Sequence, residues 1–282
     1  MRPIRLAFSP DSDDLFMFWP LLNGKIETDG LRFVHERADT EALNERAAQG
    51  DVDIIAVSMA RYASLSASYL LLPHGASIGR GYGPVVVARS RTPLEALTGK
   101  CIGVPGLRTT AYLTLRLLLP SFDPKIIPIT PYARTFEVLR EGAVDAALVI
   151  HEGRLLYERE GFFKIVDLGE AWATLTGGLP LPLGGNVVKR ALGEELILRL
   201  STLIRASIVW ALSHREEVIK ALLAERSDSI LDEVLLDRYL AMYANADTRD
   251  LAPDARAGIV ELFRRGVDAG LLSPGAHVDF AP

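Results

Sequence analysis

Apolar and polar positions alternate in blocks along the first two-thirds of the chain. Short β-type runs at residues 4–8, 52–57, 85–88, 102–104, 126–129, 144–150 and 165–168 are separated by helically spaced segments. That order predicts an α/β protein with mainly parallel sheets. The run 52–57 is apolar throughout except for Asp53, as in a strand buried on both faces. Residues 13–19 have a helical pattern, and Pro20 predicts a break at its end. Thr92-Pro93-Leu94-Glu95 combines an N-cap, a proline at the first helical position and a capping-box glutamate. From about Leu192 the spacing becomes helical, first over 195–212 and then over 216–224, 232–243 and 253–269.

One pattern repeats. Gln49-Gly50-Asp51-Val52-Asp53-Ile54-Ile55 resembles Glu141-Gly142-Ala143-Val144-Asp145-Ala146-Ala147. In each, a helix ends at a glycine suited to the left-handed position and a Val-Asp pair opens a buried strand. Two such units, one small domain apart, predict two similar α/β lobes. Ligands of open parallel sheets sit beyond the carboxyl ends of the strands, which singles out Ser58 and His151. Gly79 to Pro84 reads as a turn into a crossover strand, and Gly184-Gly185-Asn186 as the return crossover. The larger lobe is then expected at 1–89 plus 187–282, with the smaller at 90–186.

Charge and composition narrow the chemistry. With 31 basic and 36 acidic residues the chain carries −5, which argues against a phosphate-binding surface and a nucleic-acid partner. The single cysteine, Cys101, excludes an internal disulfide or thiolate metal cluster and is expected in the core. No uninterrupted apolar run approaches a membrane span, and residues 1–6 form no signal-peptide core, so the expected place is the cytoplasm. P-loop, nucleophile-elbow, His-Glu-x-x-His and Cys-x-x-Cys motifs are missing, and Gly79-Arg80-Gly81 fails the dinucleotide pattern because it precedes a strand. The expectation is no metal and no organic cofactor.

Three segments carry candidate chemistry, each with a plain structural reading beside it. His151 is either a polar gap-filler or, at a strand end, a base suited to proton transfer near neutrality. The other histidines, His35, His74, His214 and His277, are expected on surfaces or loops. Thr109 and Thr110 read as a helix cap, or as part of a carboxylate site at a helix N-terminus with Arg108 adding charge. In Ser9-Pro10-Asp11-Ser12-Asp13-Asp14 the acids are dipole partners, or they accept hydrogen bonds from ligand hydroxyls, with Ser9 and Asp13 as the named candidates.

Taken together, these stretches resemble the menaquinone-biosynthesis family of the futalosine route, which has the two-lobed, type 2 fold of periplasmic solute-binding proteins. The likeness is carried by Phe8-Ser9-Pro10, Asp14-Leu15-Phe16, Val57-Ser58, Gly79 to Pro84, Gly106 to Tyr112, Leu148 to Glu152 and Thr176 to Gly184. Ile150-His151-Glu152 and Pro180-Leu181-Pro182-Leu183-Gly184 are the most specific. The helical C-terminal tail matches only in character. The resemblance implies that His151 is the catalytic base and that Thr109, Thr110 and Ala56-Val57-Ser58 bind substrate; on charge alone, Arg108 or Arg80 is expected to help hold its polar groups. Two departures stand out: many members have Cys-Pro-Asn-Asp where this chain has Asp11-Ser12-Asp13-Asp14, and many have lysine in place of Ala56.

Within the family, a histidine-glutamate pair after this strand resembles the lyase branch. That branch splits a carbon–carbon bond of cyclic dehypoxanthinylfutalosine, a carboxylated bicyclic ring spiro-fused to a sugar, to release a dihydroxynaphthoate. The sister branch dehydrates chorismate and typically lacks the pair, and it is one alternative. A solute-binding or sensor protein for a carboxylated small molecule is the other. The expected partner is a small carboxylated substrate, with neither nucleic acid nor membrane involved; a homo-oligomer stays open.

Overall fold

The computed structural model describes residues 2–129, 131, 133–225 and 231–282. Eleven strands are found among them: β1 Ile4–Phe8, β2 Phe33–Arg37, β3 Ile54–Ser58, β4 Tyr69–Leu71, β5 Ser77–Gly79, β6 Val85–Ala88, β7 Cys101–Val104, β8 Asp123–Ile126, β9 Ala146–Val149, β10 Phe163–Asp167 and β11 Leu181–Lys189. They form two sheets, ordered β2-β1-β3-β11-β4, with β5 also on β11, and β10-β6-β9-β7-β8. Read from opposite ends the two paths are equivalent. Parallel β2-β1-β3 matches parallel β8-β7-β9, and each is closed by an antiparallel strand, β11 beside β3 and β6 beside β9.

The repeated Val-Asp pair has the same physical role in both halves. The Asp53 N–H donates to the Arg5 carbonyl at 3.1 Å, and its carboxylate accepts the Arg5 N–H at 2.9 Å. Asp145 does the same to Cys101, at 2.8 and 2.9 Å. Each aspartate therefore clips its strand to the start of the neighbouring parallel strand and satisfies backbone groups the ladder leaves open. Gly50 and Gly142, at φ +66° and +75°, make the left-handed turns that lead in.

The chain crosses between the sheets earlier than the boundaries expected at 89 and 187. Val85–Ala88 already belongs to the second sheet, and Leu181–Lys189 lies wholly in the first. Gly184-Gly185-Asn186 is not a crossover but the middle of β11, opposite Ser58, Val57 and Ala56. A closing strand is apolar whichever sheet it joins, so its periodicity carries no record of its partner. At Gly185 an added Cβ would stand 2.7 Å from the end of the flexible Met59 side chain, which would have to shift.

Other elements depart from expectation for local reasons. β2 is an edge strand whose residues are mostly exposed, so it left no apolar run. The predicted strand at 126–129 forms earlier, as β8. The capping box at Thr92 does not form; a single 3₁₀ turn, Leu94–Leu97, stands there without a side-chain cap. His35 is exposed on β2, as expected of a surface residue, whereas His74 is buried against the Ser201 hydroxyl at 3.2 Å. Cys101, expected in the core, opens β7 only half-buried.

The helical tail is present as Glu194–Ser213, Arg215–Glu225, Glu233–Tyr243 and Pro253–Asp268. By length and composition Glu194–Ser213 could cross a bilayer, although the sequence has no uninterrupted apolar run of that size. Its Leu200, Ile204 and Ile208 are buried in one cluster with Leu6 and Phe8 of β1, the packing of a core helix. It also resolves the proline problem. The helix Ser12–Leu22 runs through Pro20 unbroken. Ser207 inserts its hydroxyl at this point, accepting the Leu21 N–H at 3.1 Å and donating to the Met17 carbonyl at 2.7 Å. The hydroxyl thus replaces one i→i−4 bond of the ladder from outside the helix. Ser207→Ala leaves both backbone groups buried without a partner and should cost about 1–3 kcal/mol in urea unfolding. Unchanged stability would show that the helix closes this bond by itself.

Candidate functional site

The carboxyl ends of β1, β3, β7 and β9 face one another, and the crevice between them is a cavity of about 760 Å³ counted to its mouth. Its walls include Ser9, Asp13, Ala56, Val57 and Ser58 from the first half and Thr109, Thr110 and His151 from the second. All eight were singled out by the sequence. Arg80 and Arg108 were singled out too, and neither lines the cavity. Among the described residues its lining holds no lysine or arginine.

Both arginines are occupied by acids elsewhere. The Arg80 guanidinium is forked between Asp247 and Asp254 at 2.6–3.0 Å. Asp247 is buried and needs that counter-charge. Arg108 gives its backbone N–H to Glu41 at 3.2 Å and its guanidinium to Glu41 and Glu45 at 3.1 and 2.8 Å. Glu41 reaches there from the helix Thr40–Arg46 on the first-sheet side, so this ion pair ties the halves together. The neighbouring Gly106 cannot be larger, because a Cβ would lie 2.4 Å from the Glu41 carboxylate.

His151 follows β9 in the left-handed region, φ +50°, which costs a non-glycine residue about 1 kcal/mol or more. The turn throws its ring across the crevice. Nδ1 lies 3.1 Å from the Asp11 carboxylate and 3.4 Å from the Tyr239 hydroxyl, and Nε2 lies 3.2 Å from the Thr40 hydroxyl. Burial pulls the imidazole pKa down, but the charges of Asp11, Asp13, Glu152 and Asp39 outweigh it and the net direction is up from 6.5. Asp11 is pushed up to about 6, by burial first, against the pull of His151. Asp14, also driven by burial, is held well above the ordinary carboxyl range while it accepts the Ser9 N–H at 2.8 Å.

The remaining acids have neutral donors. Asp13 accepts hydroxyls from Ser77 at 2.6 Å and Tyr239 at 2.8 Å. Glu152, fully buried, accepts the Ser12 N–H at 3.0 Å and the Ser12 hydroxyl. It serves as an N-terminal cap for the helix Ser12–Leu22, supplied from the opposite half of the molecule.

On the far wall the cap reading of the threonines holds. Thr109 donates to the Gly106 carbonyl at 2.9 Å and accepts the Tyr112 N–H at 3.1 Å. The Thr110 hydroxyl donates to Leu183 at 2.6 Å and accepts the Ala60 N–H at 3.1 Å, a second tie between the halves. What this wall offers an anion is the start of the helix Thr110–Leu118, whose first N–H groups have no acceptor within the helix. The Ser58 hydroxyl accepts from Asn44 at 3.1 Å and can turn its own proton toward the cavity.

Thr40, Asn44, Ser77 and Tyr239 were missed from sequence. Thr40 had a readable signal, because Asp39 caps its helix by accepting the Glu41 N–H at 3.0 Å. Tyr239 had none, since it meets Asp13 across 226 positions of sequence. No cluster of three or more His, Cys, Asp or Glu among the described residues could hold a metal ion.

Comparison with known proteins shows the family and the fold. A family model described as menaquinone biosynthesis matches residues 4–268. A Thermus thermophilus protein named 1,4-dihydroxy-6-naphthoate synthase is 38% identical over 275 residues, 97% of each chain. A Streptomyces coelicolor protein of the same name is 34% identical over 272 residues, 95% of this chain and 94% of that one. The crystal structure of an Archaeoglobus fulgidus protein matches with a TM-score of 0.89 at 36% identity, covering 96% of this chain and 98% of its own. The alkanesulfonate-binding protein of Xanthomonas axonopodis, at 14% identity and a TM-score of 0.74 over 98% and 96% of the two chains, shows the shared two-lobed fold of periplasmic binding proteins.

The buried acids give a pH signature. Because Asp11 and Asp14 hold protons more tightly folded than unfolded, their contribution to stability is intact below about pH 4 and is lost as pH rises through about 6 and beyond. Asp14→Asn keeps the acceptor and removes the charge, so it should raise the melting temperature at pH 8 and raise it less at pH 5. A gain that grows toward acid would reverse the sign assigned here.

Proposed function

The chain belongs to the menaquinone-biosynthesis family, and from that premise we propose that it is a carbon–carbon lyase that releases 1,4-dihydroxy-6-naphthoate from cyclic dehypoxanthinylfutalosine. The observation that carries this reading is a single imidazole on the wall of the cavity between the sheet ends, with a helix N-terminus on the facing wall. Such a pair suits a substrate with an acidic proton at one end and a carboxylate at the other.

The substrate carboxylate sits at the amides of Thr110 and Ala111 and at the Ser58 hydroxyl, away from Asp11, Asp13 and Asp14, which would repel it. Val57 and Ala56 flank the ring. His151 takes the proton of a sugar hydroxyl, the oxygen left behind forms the carbonyl of the departing sugar fragment as the carbon–carbon bond to the ring breaks, and the bonding pair passes to the bicyclic ring as an enolate that gains a proton, with aromatisation driving the step. The inter-half ties at Glu41, Thr110 and Glu152 keep the site closed and water-poor, which supplies orientation. Arg80 and Arg108 play no part in binding. A biosynthetic role of this kind supports a cytoplasmic location.

Incubating the purified protein with the cyclic substrate should yield the naphthoate, and His151→Ala should lower turnover by about 10²–10⁴. Wild-type turnover in that variant would remove His151 as the base. Consumption of chorismate in place of the cyclic substrate would move the chain to the sister activity, and binding without turnover would leave only a binding protein.

A further inference from the structure

The two nitrogens of His151 have different partners, and those partners decide where its proton sits. Tyr239 commits its hydroxyl proton to Asp13 at 2.8 Å, so toward His151 its oxygen can only accept. The Asp11 carboxylate, which takes the Ser9 hydroxyl on the same oxygen, is also an acceptor. Nδ1 thus faces two acceptors and carries the hydrogen. Nε2 faces the Thr40 hydroxyl on the cavity wall, which can donate to it when the hydrogen is on Nδ1, and Nε2 then presents a lone pair.

We propose that Asp11 is the positioning residue of the base: supplied from the opposite half, it holds the proton of His151 on Nδ1 and leaves Nε2 to accept the substrate proton. This rests on His151 being the base of the proposed reaction. Asp11 follows β1 of the first sheet and His151 follows β9 of the second, so the dyad exists only with the halves together. An imidazole freed from Asp11 would divide its proton between the two nitrogens and lose part of its basicity. The arrangement follows the logic of a base oriented by a third group. It needs no charge from Asp14, which keeps its proton against the Ser9 amide.

The charged and titratable groups around the ring come from several elements. They are Asp11 after β1, Asp13 on Ser12–Leu22, Asp39 before Thr40–Arg46, Glu152 beside the ring and Tyr239 on Glu233–Tyr243. Removing the Asp11 charge alone lowers the imidazole pKa, while the other carboxylates keep part of the rise.

Two measurements test this. Histidine-labelled ¹⁵N NMR of the wild-type protein, with His151 assigned through His151→Gln, should show neutral His151 protonated on Nδ1. In Asp11→Asn that preference should weaken and the titration move to lower pH. In steady-state assays Asp11→Asn should lower kcat about 10²-fold, leave KM within a few-fold, and shift the acidic limb of kcat/KM to lower pH. A merely structural role would reduce activity without moving that limb. A wild-type spectrum protonated on Nε2, or an Asp11→Asn enzyme with unchanged rate and limb, would overturn the proposal. If Asp11→Asn fails to fold, the wild-type spectrum still decides the tautomer. The two readings fail separately, since a wild-type protein that makes no naphthoate sinks the reaction and leaves the spectrum to judge the dyad.

Discussion

Burying acids where two sheet ends meet is the constraint on which this molecule turns. Asp11, Asp13 and Asp14 line the crevice, Glu152 is fully buried, and the charges of Asp11, Asp13 and Glu152 act on the His151 ring. A buried carboxylate without a partner is expensive, so each is matched by a donor or keeps its proton. Several of those donors come from the opposite half: His151 for Asp11, Ser12 for Glu152 and, at the rim, Arg108 for Glu41. The electrostatics of the site and the closure of the halves are therefore one problem with one solution.

That solution explains the strain at His151. Its left-handed backbone costs energy locally, but it carries the ring out of the second sheet's edge and onto a carboxylate of the first. Glu152, the next residue, anchors the same turn by capping the helix Ser12–Leu22. The histidine-glutamate pair thus sets a buried imidazole and an anchor on one turn, and this gives the pair a physical meaning beyond its use as a family signature. The far wall is built the opposite way, from neutral hydroxyls and amides at the start of the helix Thr110–Leu118, where an anion is welcome without a guanidinium.

Two identical devices hold the scaffold rigid beneath the site. Asp53 and Asp145 each clip a central strand to its parallel neighbour, and the strands so clipped are those that end in Ser58 and His151. The fold repeats because each half solves the same backbone problem at the same place, and the chemistry differs because the residues after the strands differ. The tail then adds what neither sheet contains, Tyr239 at the ring and Ser207 in the gap left by Pro20.

What was legible in the sequence was whatever depends on neighbours along the chain. The buried β runs, the paired Val-Asp turns, the helical tail and the strand-end placement of Ser58, Thr109, Thr110 and His151 all follow from local periodicity and short-range bonding. What only the tertiary structure decided was partnership at a distance. It placed β6 and residues 181–186 of β11 in the opposite sheets from those expected, and it took Arg80 and Arg108 away to acids on other elements. It also carried the helix past Pro20 with a serine from 187 positions further on, and it set Asp11 against His151 across 140 positions of sequence. A charged side chain goes to the strongest counter-charge within reach once the chain has folded, and a strand pairs with whichever edge is presented to it. Neither choice leaves a mark on the residues nearby.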